Sequence, residues 1–174
     1  VGTRFAVGVN SGTDALFLSL KALGIGKGDE VITSSHTFVA TVQVIELCGA
    51  TPVLADLDED WVQYRTANTK AIIPVHIAGE LSNWESDTIP VIHDACQAIG
   101  TVKNPISKAQ CWSFYPAKIL GAYGDAGAIA TNDKSIYEKL LLLRNHGGKP
   151  VPQLVGYNSR LDNLQAAILD VKLN

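Results

Sequence analysis

The sequence predicts an α/β fold in three layers, α/β/α, with a mainly parallel (mixed) sheet buried between helices. Two observations carry this. Short apolar runs of strand length alternate with stretches of helical periodicity. Those runs are apolar almost throughout, as strands covered on both faces are. The spacing places strands at 5–9, 30–33, 51–56, 71–75, 91–93, 111–114 and 128–131, and helices at 13–23, 37–48, 134–145 and 161–173.

The first strand runs straight into Asn10-Ser11-Gly12-Thr13-Asp14, and Leu16, Leu18, Leu20 and Leu23 continue into a helix closed by Gly24. A strand, a small polar turn and a helix start make an anion site, because the free N–H groups of the first turn and the macrodipole favour a phosphate. The plainer reading makes Ser11 or Thr13 an N-cap. No Gly-x-Gly-x-x-Gly run and no Gly-Lys-Ser/Thr ending occurs, so dinucleotide and Walker-type sites have no support. The connection around Glu80 to Glu85 is too short for a full helix with loops and is expected to hold one or two helical turns. Gly124-Asp125-Ala126-Gly127 reads as a tight turn into the next strand.

Three later segments carry chemistry. Ile89-Pro90-Val91-Ile92-His93-Asp94 is an apolar strand delivering an acid at its carboxyl end, where ligands of open α/β sheets sit. That acid suits a heteroaromatic nitrogen, with the Gln97 amide beside it, or simply caps the next helix. Lys118 lies among aromatic, apolar and small residues, Phe114, Tyr115, Pro116, Ala117, Ile119 and Leu120. Apolar surroundings favour the free amine that attacks an aldehyde; the alternative is a lysine snorkelling from a strand end to water. Gly156-Tyr157-Asn158-Ser159-Arg160-Leu161-Asp162 gathers amide, hydroxyl and guanidinium groups before the last helix, suiting an anion or a surface Arg160–Asp162 pair.

Taken in order, these segments together with Gly28-Asp29-Glu30-Val31-Ile32 and His36-Thr37-Phe38-Val39-Ala40-Thr41 resemble the DegT/DnrJ/EryC1/StrS family of sugar aminotransferases, over nearly the whole chain. The resemblance implies the large domain of a fold type I transferase dependent on pyridoxal 5'-phosphate. It implies that Lys118 holds the cofactor as an imine and shuttles the proton, and that Asp94 faces the pyridine nitrogen. Gln97 would bond the ring hydroxyl, and Phe38 would stack on the ring. Gly12, Thr13 and Ser113 match phosphate-binding positions, with Asp14 placed at the cofactor beside them, and Asn158 matches a phosphate ligand crossing from the second subunit of a homodimer. Cys96 stands where alanine is more usual, and is expected to be a small buried side chain. Relatives that run a dehydration carry histidine in place of the lysine, so Lys118 favours transamination.

The implied substrates are glutamate as amino donor and a nucleotide-linked keto sugar as acceptor. Arg4, Lys149, Arg160 and Lys172 are candidates for its diphosphate. The resemblance also implies that residues 1–174 are the cofactor-binding large domain of a longer protein, lacking an N-terminal segment and a C-terminal small domain. Apolar surface is then expected where those parts would dock, with weak or absent turnover in the isolated piece. Two other readings stand beside this one: a non-catalytic or regulatory relative that binds cofactor or sugar nucleotide, and a sugar dehydratase using the same cofactor.

Composition fits a cytoplasmic enzyme. The net charge is −3, and no apolar stretch is long enough to cross a bilayer. Basic residues are scattered and not interleaved with aromatics, which argues against nucleic acid. Cys48, Cys96 and Cys111 sit in apolar contexts and suit reduced thiols. His36, His76, His93 and His146 lack metal-ligand spacing, so no metal site is expected.

Overall fold

The computed structural model describes residues 2–56, 60–101 and 107–173. The first strand, β1 (Phe5–Val9), leads into α1 (Gly12–Leu23); β2 (Glu30–Ser34) is followed by α2 (Val39–Leu47) and β3 (Thr51–Ala55). Then come β4 (Thr69–Ile73), β5 (Ile92–Asp94), β6 (Ala109–Ser113), β7 (Gly127–Thr131), α3 (Lys134–Leu143) and α4 (Asn163–Leu173).

Two ladders, β3-β2-β4 and β5-β6-β7-β1, are joined by parallel bridges from Ile72 to Val91 and from Val75 to Asp94. Among the described residues the sheet order is therefore β3-β2-β4-β5-β6-β7-β1. All neighbours pair in parallel except β7, which runs antiparallel to both β6 and β1. Consequently β1, β2, β4, β5 and β6 all end at one edge, and β7 begins there. The strand bounds differ from the sequence expectation by a residue or two. The largest difference is at β4, where the ladder with β2 stops at Ile73 and Pro74 follows.

Side chains alternate across the sheet, and each face has its own core. Val7, Val9, Val31, Ala71, Ile73, Ile92, Cys111 and Ile129 face Leu16, Leu18 and Leu20 of α1, Val44 and Ile45 of α2, and Ile136 and Leu140 of α3. On the other face, Trp112, Ala130 and Phe114 meet Leu169 of α4. Ile32, Ile72 and Val91 lie under Trp61 and Trp84. The expected helical turns between β4 and β5 reduce to one 3-10 turn at Ile77–Gly79. The rest of that connection is irregular, and the buried indole of Trp84 covers the sheet where a crossover helix would lie.

α1 ends as expected, Gly24 taking the left-handed conformation (φ 80°) and donating its N–H to the carbonyls of Leu20 and Lys21. The outer side of α4 carries exposed Leu164 and Val171, and Leu173 is exposed at its last residue. No helix among the described residues is long and apolar enough to cross a membrane.

Candidate active site

At the converging strand ends lies a cleft of about 420 Å³. Its anion end is the start of α1. Ser11 is the N-cap, and its Oγ accepts from the Asp14 N–H at 3.1 Å. The capping reading thus holds for Ser11, and the helix start keeps the N–H groups of Gly12 and Thr13, which have no acceptor within the helix. Gly12 fits only because it lacks a side chain: a Cβ there would stand 2.7 Å from Ser113 Cβ and 2.8 Å from Cys96 Sγ. Gly127, read from sequence as part of a tight turn, serves close approach instead. Its Cβ would lie 2.4 Å from the Ser11 carbonyl carbon and oxygen, and its φ is not positive.

Asp94 ends β5 and is buried. Its Oδ2 accepts from the Thr41 hydroxyl at 2.7 Å, and its Oδ1 from the Cys96 N–H at 3.2 Å. Because Thr41 spends its proton on the carboxyl, it receives that of Thr37 at 2.8 Å, giving a directed chain from Thr37 through Thr41 to Asp94. A carboxylate accepts about four hydrogen bonds, so Asp94 keeps capacity for a ligand N–H. Gln97 Oε1 accepts from the Ala78 N–H at 2.8 Å, which leaves its NH₂ as the group to offer a ligand oxygen.

Lys118 sits in the connection between β6 and β7, its N–H bonded to the Tyr115 carbonyl at 2.8 Å. The apolar surroundings expected from sequence are met in part. Tyr115, Pro116, Ala117 and Ile119 are exposed and Lys118 is half-buried, yet Tyr115 and Ala117 line the cleft beside it, with Leu16, Phe38 and Val75.

Beside Asp94, His76 and His93 form a buried stacked pair with His76 Nε2 2.9 Å from His93 Nδ1. The Ser82 N–H donates to His76 Nδ1 at 3.1 Å, which assigns the His76 proton to Nε2 and makes His93 Nδ1 the acceptor. Burial, reinforced by His76, holds His93 down at about 4, and burial also lowers His76 against the pull of Asp94. Both are neutral near pH 7. Cys96, expected to be a small buried side chain, is half-buried and lines the cleft. Burial and then Asp94 push its thiol well above the usual range, which disfavours the thiolate. Cys48, Cys96 and Cys111 are all free thiols.

Of the residues singled out from sequence, Gly12, Thr13, Phe38, Asp94, Gln97, Ser113 and Lys118 all line this one cleft. Asp14 and Asn158 do not. Asp14 presents its N–H to Ser11, and Asn158 is exposed in a bridge to Asn145. None of the four basic candidates lines the cleft either: Arg160 bonds Asn145 Oδ1 and Lys172 bonds the Gly121 carbonyl. Sequence reasoning assigned no role to Thr41 or Asp125, and took His76 as structural or substrate-facing. Thr41 lies three residues after Phe38 at the start of α2, so that spacing was the available signal.

Residues 1–174 match the DegT/DnrJ/EryC1/StrS aminotransferase family model. The chain is 44% identical over 191 residues to the pleiotropic regulatory protein of Geobacillus stearothermophilus, covering 97% of this chain and 51% of that protein. It is 42% identical over 190 residues to UDP-N-acetyl-3-dehydro-alpha-D-glucosamine 3-aminotransferase of Acidithiobacillus ferrooxidans, covering 97% and 52%. The structure of S. venezuelae DesV in complex with a ketimine intermediate superposes with a TM-score of 0.90 at 38% identity, covering 99% of this chain and 52% of that one. The chain therefore spans about half the length of the curated relatives it matches. With the match running from end to end and the cleft built from the motifs themselves, the chain belongs to the DegT/DnrJ/EryC1/StrS aminotransferase family.

Proposed function

We propose that this chain is the cofactor-binding large domain of a pyridoxal 5'-phosphate-dependent aminotransferase that moves an amino group from glutamate to a nucleotide-linked keto sugar, in amino-sugar biosynthesis. The observation that carries the reading is that Lys118, Asp94 and the start of α1 line one cleft. The donor set fits the cofactor. There is an amine for its aldehyde, a buried carboxylate for its ring nitrogen, an amide NH₂ for its ring oxygen, and a cradle that a Cβ on Gly12 would fill. When bound, the cofactor would supply the aldehyde and the electron-accepting ring.

The chain's own residues do the rest. Gly12 and Thr13 offer backbone N–H groups to the phosphate, with the Ser113 hydroxyl beside them. Asp94, oriented by Thr41 and the Cys96 N–H, would hold a proton on the cofactor's ring nitrogen. Phe38, 65% exposed at the start of α2, offers its ring as a wall. The Lys118 amine would hold the cofactor through its aldehyde and, as a free amine, would serve as the base and acid for the proton to be moved. Asp14 supports the helix start from its first turn. Asn158, exposed away from this cleft, is free to reach the phosphate of a second subunit, which makes the working unit a homodimer with shared sites. The apolar outer side of α4 suits docking of further parts of a longer protein.

The regulatory name of the Geobacillus relative keeps a second reading: the same cleft binding cofactor without nitrogen transfer. One experiment separates the two. The folded chain is soaked with pyridoxal 5'-phosphate, reduced with borohydride and digested, and glutamate-dependent conversion of keto sugar nucleotides is assayed alongside. A label on Lys118 with conversion supports the aminotransferase; a label without conversion supports the regulatory reading; no label refutes both.

A further inference from the structure

Lys118 belongs to a connection that is closed on itself at one side. Its N–H bonds the Tyr115 carbonyl, the Ala122 N–H bonds the Phe114 carbonyl at 2.8 Å, and the Phe114 N–H bonds the Ala126 carbonyl at 2.8 Å. Gly121 is pressed against Pro116 so closely that a Cβ would lie 2.4 Å from the Pro116 carbonyl oxygen. These contacts fix the shape of the loop but do not tie it to the rest of the domain.

Ala122 and Ala126 pack in one core with Ala95 and Ala98, and a further tie comes from α4. Gln165 Oε1 accepts the Tyr123 N–H at 2.9 Å, and its Nε2 stands 3.0 Å from where a Cβ on Gly124 would be. Leu169 is buried against the core formed by Phe114, Ala122 and Ala126. The Lys172 ammonium donates to the Gly121 carbonyl and lies 5.0 Å from the centre of the Tyr123 ring. Positions 165, 169 and 172 fall on one helical stripe. One face of α4 therefore grips the lysine loop at three successive places, and two of the three are polar side chains holding backbone groups of the loop. Neither Gln165 nor Lys172 lines the cleft.

We propose that Gln165 and Lys172 are positioning residues for Lys118, setting where its amine stands over the cleft by clamping the backbone at Gly121 and Tyr123. The proposal rests on the reading of Lys118 as the cofactor-holding amine. Backbone clamping fits the task, since a displacement of about 1 Å can cost a reacting group about 100-fold, and a buried apolar contact alone leaves sliding along the helix unopposed.

The test uses the full chain as wild type, Gln165→Ala, Gln165→Glu and Lys172→Met. Gln165→Glu keeps an acceptor for the Tyr123 N–H, and Lys172→Met keeps the apolar stem. Amide hydrogen exchange is read at Tyr123, without cofactor. Separately, the rate of borohydride-trappable attachment of pyridoxal 5'-phosphate is measured beside its equilibrium affinity. The expected result is loss of Tyr123 protection in Gln165→Ala, with attachment slowed about 10- to 100-fold and affinity little changed. Gln165→Glu should restore both, and Lys172→Met should slow attachment with the fold intact. Unchanged attachment rates in variants that have lost the clamp would overturn the proposal, as would affinity and rate falling together without rescue by Gln165→Glu. If wild type itself takes up no cofactor, the reading of the cleft fails, while the exchange data still report whether the clamp exists.

Discussion

Replacing Gly127 by alanine tests how the phosphate end of the cleft is built. The added Cβ would meet the Ser11 carbonyl carbon and oxygen at 2.4 Å and the Gly12 nitrogen at 2.8 Å. All three are backbone atoms of the turn into α1, so no side-chain rotation relieves the clash. Overpacking of this kind costs about 1–3 kcal/mol, and backbone neighbours place it high in that range. Alanine recovers about 0.5–1 kcal/mol over glycine within a strand, leaving a net loss of about 2 kcal/mol. For a chain of this size that lowers Tm by about 4–8 °C. Displacing the turn should also weaken pyridoxal 5'-phosphate binding by about tenfold, or about 1.4 kcal/mol. Thermal melts and spectroscopic titration read both quantities. The control is Gly26→Ala, where the added atom meets only the Cys48 carbonyl oxygen, at 3.8 Å, and φ is not positive; that change should be stabilising by about 0.4–1 kcal/mol. If Gly127→Ala melted with wild type or above it, the close approach of β7 to the turn would not be what requires glycine.

Three further outcomes are expected. Lys118→Ala should abolish borohydride-trappable cofactor and lower turnover by at least the 10²- to 10⁴-fold typical of a lost acid–base group; a label persisting elsewhere would reassign the nucleophile. Thr41→Val removes the hydroxyl from Asp94, and since hydrogen bonds to charged groups contribute about 1.5–3 kcal/mol, the urea midpoint should fall accordingly; an unmoved midpoint would show that bond to be idle. His93 has its folded value lowered to about 4 from 6.5, so the unfolded chain binds more protons between those values. Its contribution is therefore present above pH 6.5 and lost as the pH falls towards 4. His93→Gln should flatten the stability profile across that window, and an identical slope in wild type and variant would locate the acid sensitivity elsewhere.

The order of elements was legible because strand and helix lengths here match their periodicities, and the Ser11 cap and the Gly24 stop are local devices that the residues declare themselves. Asp94 was legible for a similar reason: an apolar strand ending in an acid has only one edge to deliver it to. What escaped was set by contacts distant in sequence. Thr41 matters because its hydroxyl reaches Asp94, 53 positions away along the chain, and only the fold says so. The surroundings of Lys118 were legible only in part, because, of its sequence neighbours, Tyr115 and Ala117 line the cleft while Ile119 is left to solvent. Gly127 was assigned to a turn by composition, whereas its requirement comes from Ser11, which no local pattern reports. Between β4 and β5 the shortness of the connection was visible. That one tryptophan covers the sheet there was not.

The reversal of β7 explains how one edge collects every part of the cleft. Parallel neighbours need a crossover that returns the chain to the opposite edge, usually as a helix, whereas antiparallel neighbours are joined without leaving the edge. Since β7 runs against β6, the connection 114–126 starts and ends beside the strand ends that carry Asp94 and the turn into α1. Freed from any crossover, it stays over the cleft as a loop and brings Lys118 with it. The same reversal brings Gly127 to this edge as the first residue of β7, against the turn it must not crowd. A loop so placed has the sheet on one side only, so its position depends on what packs from the other, and there α4 supplies Leu169 together with the two polar side chains that hold its backbone.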